Sequence, residues 1–262
     1  MSASLLLAID VGNTNTVFGL FDGDIPRSQW RAATRADRTA DEYAVWLHQL
    51  MRLDGFDPKD VGAAILCSVV PESVFNLRRL CLRYLGCEAL IVGESIDPGI
   101  RVAVDQPREV GADRLVNAVA AHSRYPGALI VIDFGTATTF DVVGADGTYH
   151  GGVISPGVNL SLDALHMAAA QLPRVAPSRP QAVIGTDTIA AMQSGTYWGY
   201  VGMIEGLVER IRGEYGHPMT VIATGGLAPL FQSATLVIEH VDPDLTMHGL
   251  LEIHRRVAGT VQ

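Results

Sequence analysis

The stretch that decides the fold is Leu5-Leu6-Leu7-Ala8-Ile9-Asp10, followed directly by Val11-Gly12-Asn13-Thr14-Asn15-Thr16. An apolar run that stops at an aspartate predicts a buried strand. The polar residues after it predict a turn, and Val17–Phe21 predicts a returning strand that ends at the tight turn Asp22-Gly23. The chain therefore opens with a β-hairpin whose first turn carries polar side chains.

The same pattern returns 123 residues later. Ala128–Asp133 predicts a buried strand, Phe134–Thr138 a turn, and Thr139–Val143 a returning strand. A repeat of half the chain is too long for a solenoid unit, so we expect two related α/β domains, residues 1–118 and 119–262. The aligned pairs are Ile9/Ile132, Asp10/Asp133, Gly12/Gly135 and Thr16/Thr139.

The spacing of apolar residues along the rest of the chain predicts helices and short strands around these hairpins. Predicted strands are Trp30–Ala33, Val61–Val70, Gly151–Ile154 and Thr220–Ala223. Predicted helices are Thr39–Leu53, Val74–Leu85, Val110–Tyr125, Val158–Gln171 and a long helix from about Gly185 to Arg212.

Composition excludes several classes of function. The 262 residues are 48% hydrophobic, but no apolar run approaches the roughly 18 residues of a membrane span. The first residues carry no basic leader, so we expect a cytoplasmic protein with no membrane partner. A net charge of −9 makes nucleic acid an unfavourable partner. The 3 cysteines show neither metal-ligand spacing nor a disulfide framework.

Lysine usage narrows the ways in which this chain could bind a nucleotide. Of 19 basic residues only Lys59 is a lysine, and it lies between Pro58 and Asp60. A P-loop needs a lysine after a glycine-rich turn, and a protein kinase needs one in its third strand. Any binding of ATP must therefore proceed without a phosphate-binding lysine.

The turn after Asp10 has the residue types of a phosphate-binding hairpin. Gly12 allows close approach of the backbone to an anion, and Asn13, Thr14 and Thr16 add donors. Asp10 itself would repel phosphate unless a cation lay between them, so its natural role is to position Mg²⁺ through water. The alternative is a polar hairpin turn with no ligand.

A second such hairpin at Asp133-Phe134-Gly135-Thr136 favours the ligand-binding alternative, because two hairpins can hold one triphosphate. With Thr224-Gly225-Gly226 placed to meet an adenosine, this plan resembles the acetate and sugar kinase, heat-shock ATPase and actin superfamily. The resemblance implies two ribonuclease H-like (actin-like ATPase) domains with mixed sheets flanked by helices.

The segment Gly111-Ala112-Asp113-Arg114 lies at a predicted helix start. Asp113 could accept the proton of an attacking hydroxyl, and Arg114 could hold a carboxylate by two hydrogen bonds. The alternative is an ordinary acid in a first helical turn with a surface ion pair.

Together these motifs resemble the type III pantothenate kinase family along nearly the whole chain. Those that carry the resemblance are Asp10–Thr14, Gly111–Arg114, Asp133–Thr138, Gly151–Gly157, Gly185–Thr188 and Thr224–Gly226. The family transfers the γ-phosphate of ATP to the 4′-hydroxyl of pantothenate, the first step of coenzyme A synthesis.

The resemblance implies a role for each matching residue. Asp113 matches the catalytic base, and Asp133 matches a site linked to the monovalent cation, K⁺ or NH₄⁺, that the family requires. Pantothenate contacts match Gly111, Ala112, Asp113, Arg114 and Thr188, the last supplied by the neighbouring subunit of a homodimer. Contacts with ATP match Asp10, Val11, Gly12, Asn13, Thr14, Asn15, Thr16, Val17 and Thr136. The sequence departs from the family at Val104, near which many members have an aromatic residue.

Four glycines recur along one face of the long helix predicted after Gly185. They are Gly195, Gly199, Gly202 and Gly206, and each costs up to about 1 kcal/mol relative to alanine. Close approach of another helix would offset that cost, either within the same domain or across the dimer interface that the resemblance implies.

Two other classes of function remain open at this point. One is a regulatory or accessory protein that keeps the fold without catalysis, of which loss of Asp113 would be the sign. The other is a different reaction on the same fold, by a sugar kinase or a phosphatase.

Overall fold

The computed structural model describes residues 5 to 260, which group into two compact units. The first unit holds the described residues up to Ile100, Gln106–Ser123 and those from Thr246 onward, and the second holds Arg101–Asp105 and Arg124–Leu245. Each unit is therefore built from more than one segment, whereas the sequence suggested a single division after residue 118.

The first unit contains a five-stranded sheet in the order β3-β2-β1-β4-β5. Its strands are β1 (Leu5–Val11), β2 (Asn15–Asp22), β3 (Ile25–Ala33), β4 (Val61–Ser68) and β5 (Ala89–Ile91), and its helices include α1 (Ala40–Leu53), α2 (Pro71–Leu80) and α3 (Ala112–Arg124). Strand β1 pairs antiparallel with β2 and parallel with β4, so the sheet is mixed as predicted.

The second unit repeats this arrangement with strand order β10-β9-β6-β7-β8. Its strands are β6 (Ala128–Phe134), β7 (Ala137–Val143), β8 (Tyr149–Pro156), β9 (Met219–Thr224) and β10 (His240–Val241), and its helices are α4 (Val158–Ala168), α5 (Thr188–Tyr215) and α6 (Ala228–Gln232). The last helix, α7 (Leu245–Thr260), returns to the first unit. The predicted pair of related mixed-sheet folds is confirmed.

The turns of the two opening hairpins differ in length by one residue. In the first hairpin Val11 pairs with Thr16, whereas in the second Phe134, the equivalent of Val11, pairs with Thr138. The alignment of Thr16 with Thr139 is therefore wrong, because the second turn is one residue shorter and Thr138 takes the equivalent position.

Strand β1 is apolar throughout because both of its faces are covered. Leu7 and Ile9 belong to a core cluster that also contains Tyr43 of α1 and Leu77 of α2. On the other face, the residues of β1 join a second cluster with α3 and α7, composed chiefly of Leu6, Ala8, Val116, Val119, Leu250 and Ile253. Burial on both faces explains why the sequence shows a continuous apolar run instead of alternation.

Helix boundaries differ from the sequence predictions for local reasons. Helix α2 begins at Pro71, since proline is favoured in the first helical turn. Helix α5 continues to Tyr215 and ends where Gly216 adopts a left-handed conformation, with φ of 78°. Between residues 5 and 260, no helix is long and apolar enough to cross a bilayer.

Helix α1 starts with a capping box. The Glu42 amide donates to the Thr39 hydroxyl (3.3 Å), and the Thr39 amide donates to the Glu42 carboxylate (2.8 Å). These bonds satisfy main-chain donors that the helix itself leaves unpaired.

Replacing Thr39 with alanine should lower the free energy of unfolding by about 1 kcal/mol, because the cap on α1 is lost. Equilibrium denaturation in urea would measure the change, with Thr39→Ser as the control that keeps the hydroxyl. Equal stability of the alanine variant and the unsubstituted protein would show that the cap contributes nothing.

Candidate active site

Asp10 lies at the end of β1, beside the neighbouring strand β4. In the parallel register Asp10 is opposite Cys67 and Val11 is opposite Ser68, and the Val69 amide donates to the Val11 carbonyl (3.0 Å). Because side chains alternate along a strand, Asp10 faces the same side as Leu6 and Ala8, the side that α3 and α7 cover.

Helix α3 brings Asp113 to the same edge of the first sheet. A Cβ placed on Gly111, just before α3, would lie 3.8 Å from Val69 Cγ1 and 2.5 Å from Asp113 Oδ1. Glycine at 111 therefore leaves room for the carboxylate, whose Oδ1 also accepts a hydrogen bond from the Arg114 amide (2.8 Å).

The charges of Asp10 and Asp113 both affect one buried thiol, that of Cys67. Burial raises the pKa of Cys67 well above its ordinary value, and the charges of Asp10 and Asp113 raise that pKa further. Cys67 is completely buried and stays a neutral thiol.

Asp113 has the properties expected of a proton acceptor. Burial raises the pKa of its carboxyl, while the Arg114 amide and the Arg114 guanidinium oppose that shift. A carboxylate with a raised pKa holds a transferred proton better than an ordinary surface aspartate.

The turn that follows Asp10 exposes its tip and buries its base. Asn13, Thr14 and Asn15 are exposed, while Val11 and Thr16 are fully buried. The Gly12 amide closes the turn by donating to the Asn15 carbonyl (3.0 Å). Val17, predicted as a further contact, is half-buried opposite Asp10 in the register.

Thr16 has an internal partner that the motif did not indicate. Its hydroxyl lies 2.9 Å from the Thr34 hydroxyl, which in turn donates to the Gly12 carbonyl (2.7 Å). The side chain of Thr16 thus braces the hairpin. Thr34 itself was missed, although it follows a predicted strand at the position that Gly157 occupies in the second half.

In the second unit, Asp133 is the penultimate residue of β6, as Asp10 is of β1. It is opposite Thr224 of the parallel strand β9. A Cβ on Gly225, whose φ is +87°, would lie 2.6 Å from Asp133 Oδ1 and 2.7 Å from the Phe134 carbonyl oxygen. These two oxygens therefore converge on the turn, and oxygen donors of this kind suit a hard cation.

Metal coordination by protein side chains alone is not supported in the first unit. Among residues 5 to 260, no group of three or more His, Cys, Asp or Glu side chains could hold a metal ion. A single carboxylate at Asp10 instead fits Mg²⁺ that keeps several waters and is carried mainly by nucleotide phosphates.

The remaining predicted residues fall in different units. Gly111, Ala112 and Arg114 are half-buried at the start of α3 in the first unit. Thr136 is exposed in the second hairpin, and Thr188 is exposed as the first residue of α5. The Asp187 side chain caps that helix by accepting from the Ala190 amide (2.8 Å), which confirms the placement of Thr188 at a helix N-terminus.

Solved structures share the fold of this chain at low sequence identity. A Campylobacter jejuni protein described as a conserved candidate Baf family transcriptional activator aligns over 97% of this chain and 99% of its own, with a TM-score of 0.61 and 17% identity. A candidate 2-dehydro-3-deoxygalactonokinase from Sinorhizobium meliloti aligns over 96% of both chains, with a TM-score of 0.61 and 16% identity. These likenesses concern the fold alone.

Proteins with similar sequences identify the family of this chain. The type III pantothenate kinase family model matches residues 6–210. Proteins named type III pantothenate kinase from Paramagnetospirillum magneticum and Rhodospirillum rubrum are each 65% identical to this chain over 253 residues, covering 96% of it and 97% and 98% of their own lengths. The chain belongs to the type III pantothenate kinase family.

The raised pKa of Asp113 predicts a pH-dependent effect of Asp113→Asn on stability. Because burial disfavours the charged form of this carboxyl in the native state, the variant should be more stable at neutral pH. The gain should fade as pH falls through the raised native pKa and vanish below the unfolded value of about 4, where aspartate is protonated in both states.

Urea denaturation of both proteins at several pH values would measure this difference. Exposed Asp37 provides the control, since Asp37→Asn removes the same charge without relieving burial. A variant less stable than the unsubstituted protein at pH 7 would contradict the predicted direction.

Proposed function

We propose that this chain transfers the γ-phosphate of ATP to the 4′-hydroxyl of pantothenate, the first step of coenzyme A biosynthesis. The observation that carries the proposal is the family match over residues 6–210, which spans both Asp10 and the Gly111–Arg114 segment. In the first unit, Val11 and Gly111 both approach Val69, which follows the end of β4. No observation favours a regulatory protein, a sugar kinase or a phosphatase.

In this proposal the reaction is an in-line transfer. The pantothenate hydroxyl oxygen forms a bond to the γ-phosphorus, the bond from that phosphorus to the β–γ bridging oxygen breaks, and ADP leaves. Asp113 accepts the hydroxyl proton, and Arg114 holds the pantothenate carboxylate. Because phosphoryl transfer depends mainly on positioning and charge stabilisation, the exposed amides of Asn13–Asn15 contribute by binding phosphate oxygens.

Two cations complete the proposal. Mg²⁺ bound by the nucleotide phosphates is positioned by Asp10 through water. K⁺ or NH₄⁺ belongs at Asp133, where the carboxylate and the Phe134 carbonyl converge on the turn at Gly225. Thr136 adds an ATP contact in the second unit. The cytoplasmic location remains a prediction.

The proposed reaction predicts pantothenate-dependent release of ADP in the presence of Mg²⁺ and K⁺. Asp113→Asn should reduce turnover by about 10²- to 10⁴-fold, because the general base is lost, and replacement of K⁺ by Na⁺ should also reduce it. A coupled ADP assay measures each rate, with Asp37→Asn as a control at an exposed acid. Turnover that does not depend on pantothenate would contradict the proposal.

We also propose that the protein acts as a homodimer through α5. Gly195, Gly199 and Gly202 are exposed, and a Cβ on any of them would meet no atom within 4 Å. Packing against described residues of the same unit therefore does not account for them. The same unit exposes large apolar side chains at Met167 (75% exposed) and Ile184 (82% exposed). A second copy of α5 would cover the glycines, and Thr188 would reach the partner's pantothenate site.

Sedimentation should then give twice the chain mass of 28.0 kDa. Gly199→Arg should yield a monomer, because the guanidinium prevents close helix approach, and it should raise the KM for pantothenate more than that for ATP. Glu88→Arg, a change at the exposed residue before β5 of the first unit, serves as the control. A monomeric unsubstituted protein at micromolar concentration would contradict the dimer.

A further inference from the structure

Thr34 makes three hydrogen bonds to the turn of the first hairpin. Its amide donates to the Thr14 carbonyl (2.9 Å), its hydroxyl donates to the Gly12 carbonyl (2.7 Å), and its hydroxyl oxygen lies 2.9 Å from that of Thr16. It follows directly after β3 and is the residue through which that strand contacts the turn.

These hydroxyl contacts have one consistent direction. A hydroxyl has a single proton, and that of Thr34 is donated to the Gly12 carbonyl. Thr34 must therefore accept from Thr16, whose side chain is fully buried. The result is a directed chain from Thr16 through Thr34 to the main chain of Gly12.

Because the peptide group is planar, these hydrogen bonds to carbonyls also fix the direction of the amide N–H groups in the turn. In a trans peptide the carbonyl and the following N–H point in opposite directions, and the described residues contain no cis peptide. Because Thr34 holds the Gly12 and Thr14 carbonyls, the N–H groups of Asn13 and Asn15 point away from Thr34. Both asparagines are exposed.

We propose that Thr34 is a positioning residue that directs the amide N–H groups of Asn13 and Asn15 toward the phosphates of the nucleotide. The proposal rests on the phosphate-binding role proposed above for this hairpin. Oriented main-chain donors require no reorganisation when an anion binds, so their direction affects affinity. Thr34 acts through the turn without touching the reacting atoms.

The second hairpin lacks this brace. Ala33 pairs with Asn15 and Pro156 with Ala137, so the next residue is Thr34 in one half and Gly157 in the other. The Gly157 amide donates to the Thr136 carbonyl (3.0 Å), as Thr34 does to Thr14. A Cβ on Gly157, however, would lie 2.5 Å from the Gly135 carbonyl oxygen, so a threonine cannot fit.

This difference affects Thr138, the residue of the second hairpin that is equivalent to Thr16. The Thr138 hydroxyl is buried and has no hydrogen-bond partner among the residues that the structure describes. The Thr16–Thr34 chain is therefore a feature of the first hairpin and not a general requirement of this turn.

Thr34→Val keeps the shape of the side chain but removes the hydroxyl, whereas Thr34→Ser keeps the hydroxyl. Thr34→Val should weaken binding of a non-hydrolysable ATP analogue by about three- to tenfold, the effect of one lost hydrogen bond. The KM for ATP should rise with it, and the KM for pantothenate should change less than about twofold. Thr34→Ser should restore most of the affinity. Calorimetry and steady-state kinetics measure these quantities.

Thr16→Val supplies an independent check, because the fully buried Thr16 hydroxyl makes its hydrogen bond to Thr34. It should weaken nucleotide binding alone but add nothing to Thr34→Val, so the two changes should be non-additive. Thr39→Ala is the matched control from the same connection: it removes a hydroxyl that caps α1, and it should reduce stability while leaving both KM values unchanged.

Unchanged nucleotide affinity in a folded Thr34→Val variant would overturn the proposal, as would equal increases in the two KM values or failure of Thr34→Ser to restore binding. These outcomes concern only the variants. Failure of the proposed function would instead appear in the unsubstituted protein, as turnover without dependence on pantothenate.

Discussion

The parallel pairing of β1 with β4 is the interaction on which the candidate active site depends. It aligns Asp10 with Cys67 and joins two strands whose residues are buried on both faces. A shift of one residue in register would turn Asp10 to the opposite face, away from α3. Since both faces are packed, such a shift would also misplace every core residue of β1. The packing of apolar residues on both faces of β1 thus fixes the position of Asp10.

At Asp113, burial and a neighbouring positive charge shift the pKa of the carboxyl in opposite directions. Burial raises the pKa of Asp113, and Arg114 only partly offsets it. A carboxylate held in this way reduces native-state stability, and such costs concentrate where a reaction needs a perturbed group. Cys67 shows the same environment without a chemical role, because its own raised pKa keeps the thiol neutral.

The two halves show how one supersecondary unit can diverge while its topology is kept. The two sheets have equivalent strand orders, and the first strand of each hairpin is apolar with aspartate as its penultimate residue. The first turn is braced by a side chain from the neighbouring strand at Thr34. The second is one residue shorter and closes so tightly at Gly157 that no side chain fits. The duplicated scaffold therefore carries two turns of different construction.

The sequence by itself determined the repeat, the hairpins, most strands and helices, and the candidate residues Asp10, Asp113 and Asp133. Apolar periodicity and turn chemistry are local properties, so they can be read along the chain. Only the tertiary structure decided that α7 completes the first unit, that Thr16 has Thr34 as its partner, and that Val11 and Gly111 both approach Val69. These results depend on strand register and helix packing, which bring together residues that are distant in sequence. The pKa shift of Asp113 belongs to this second group, because burial is a property of the folded chain.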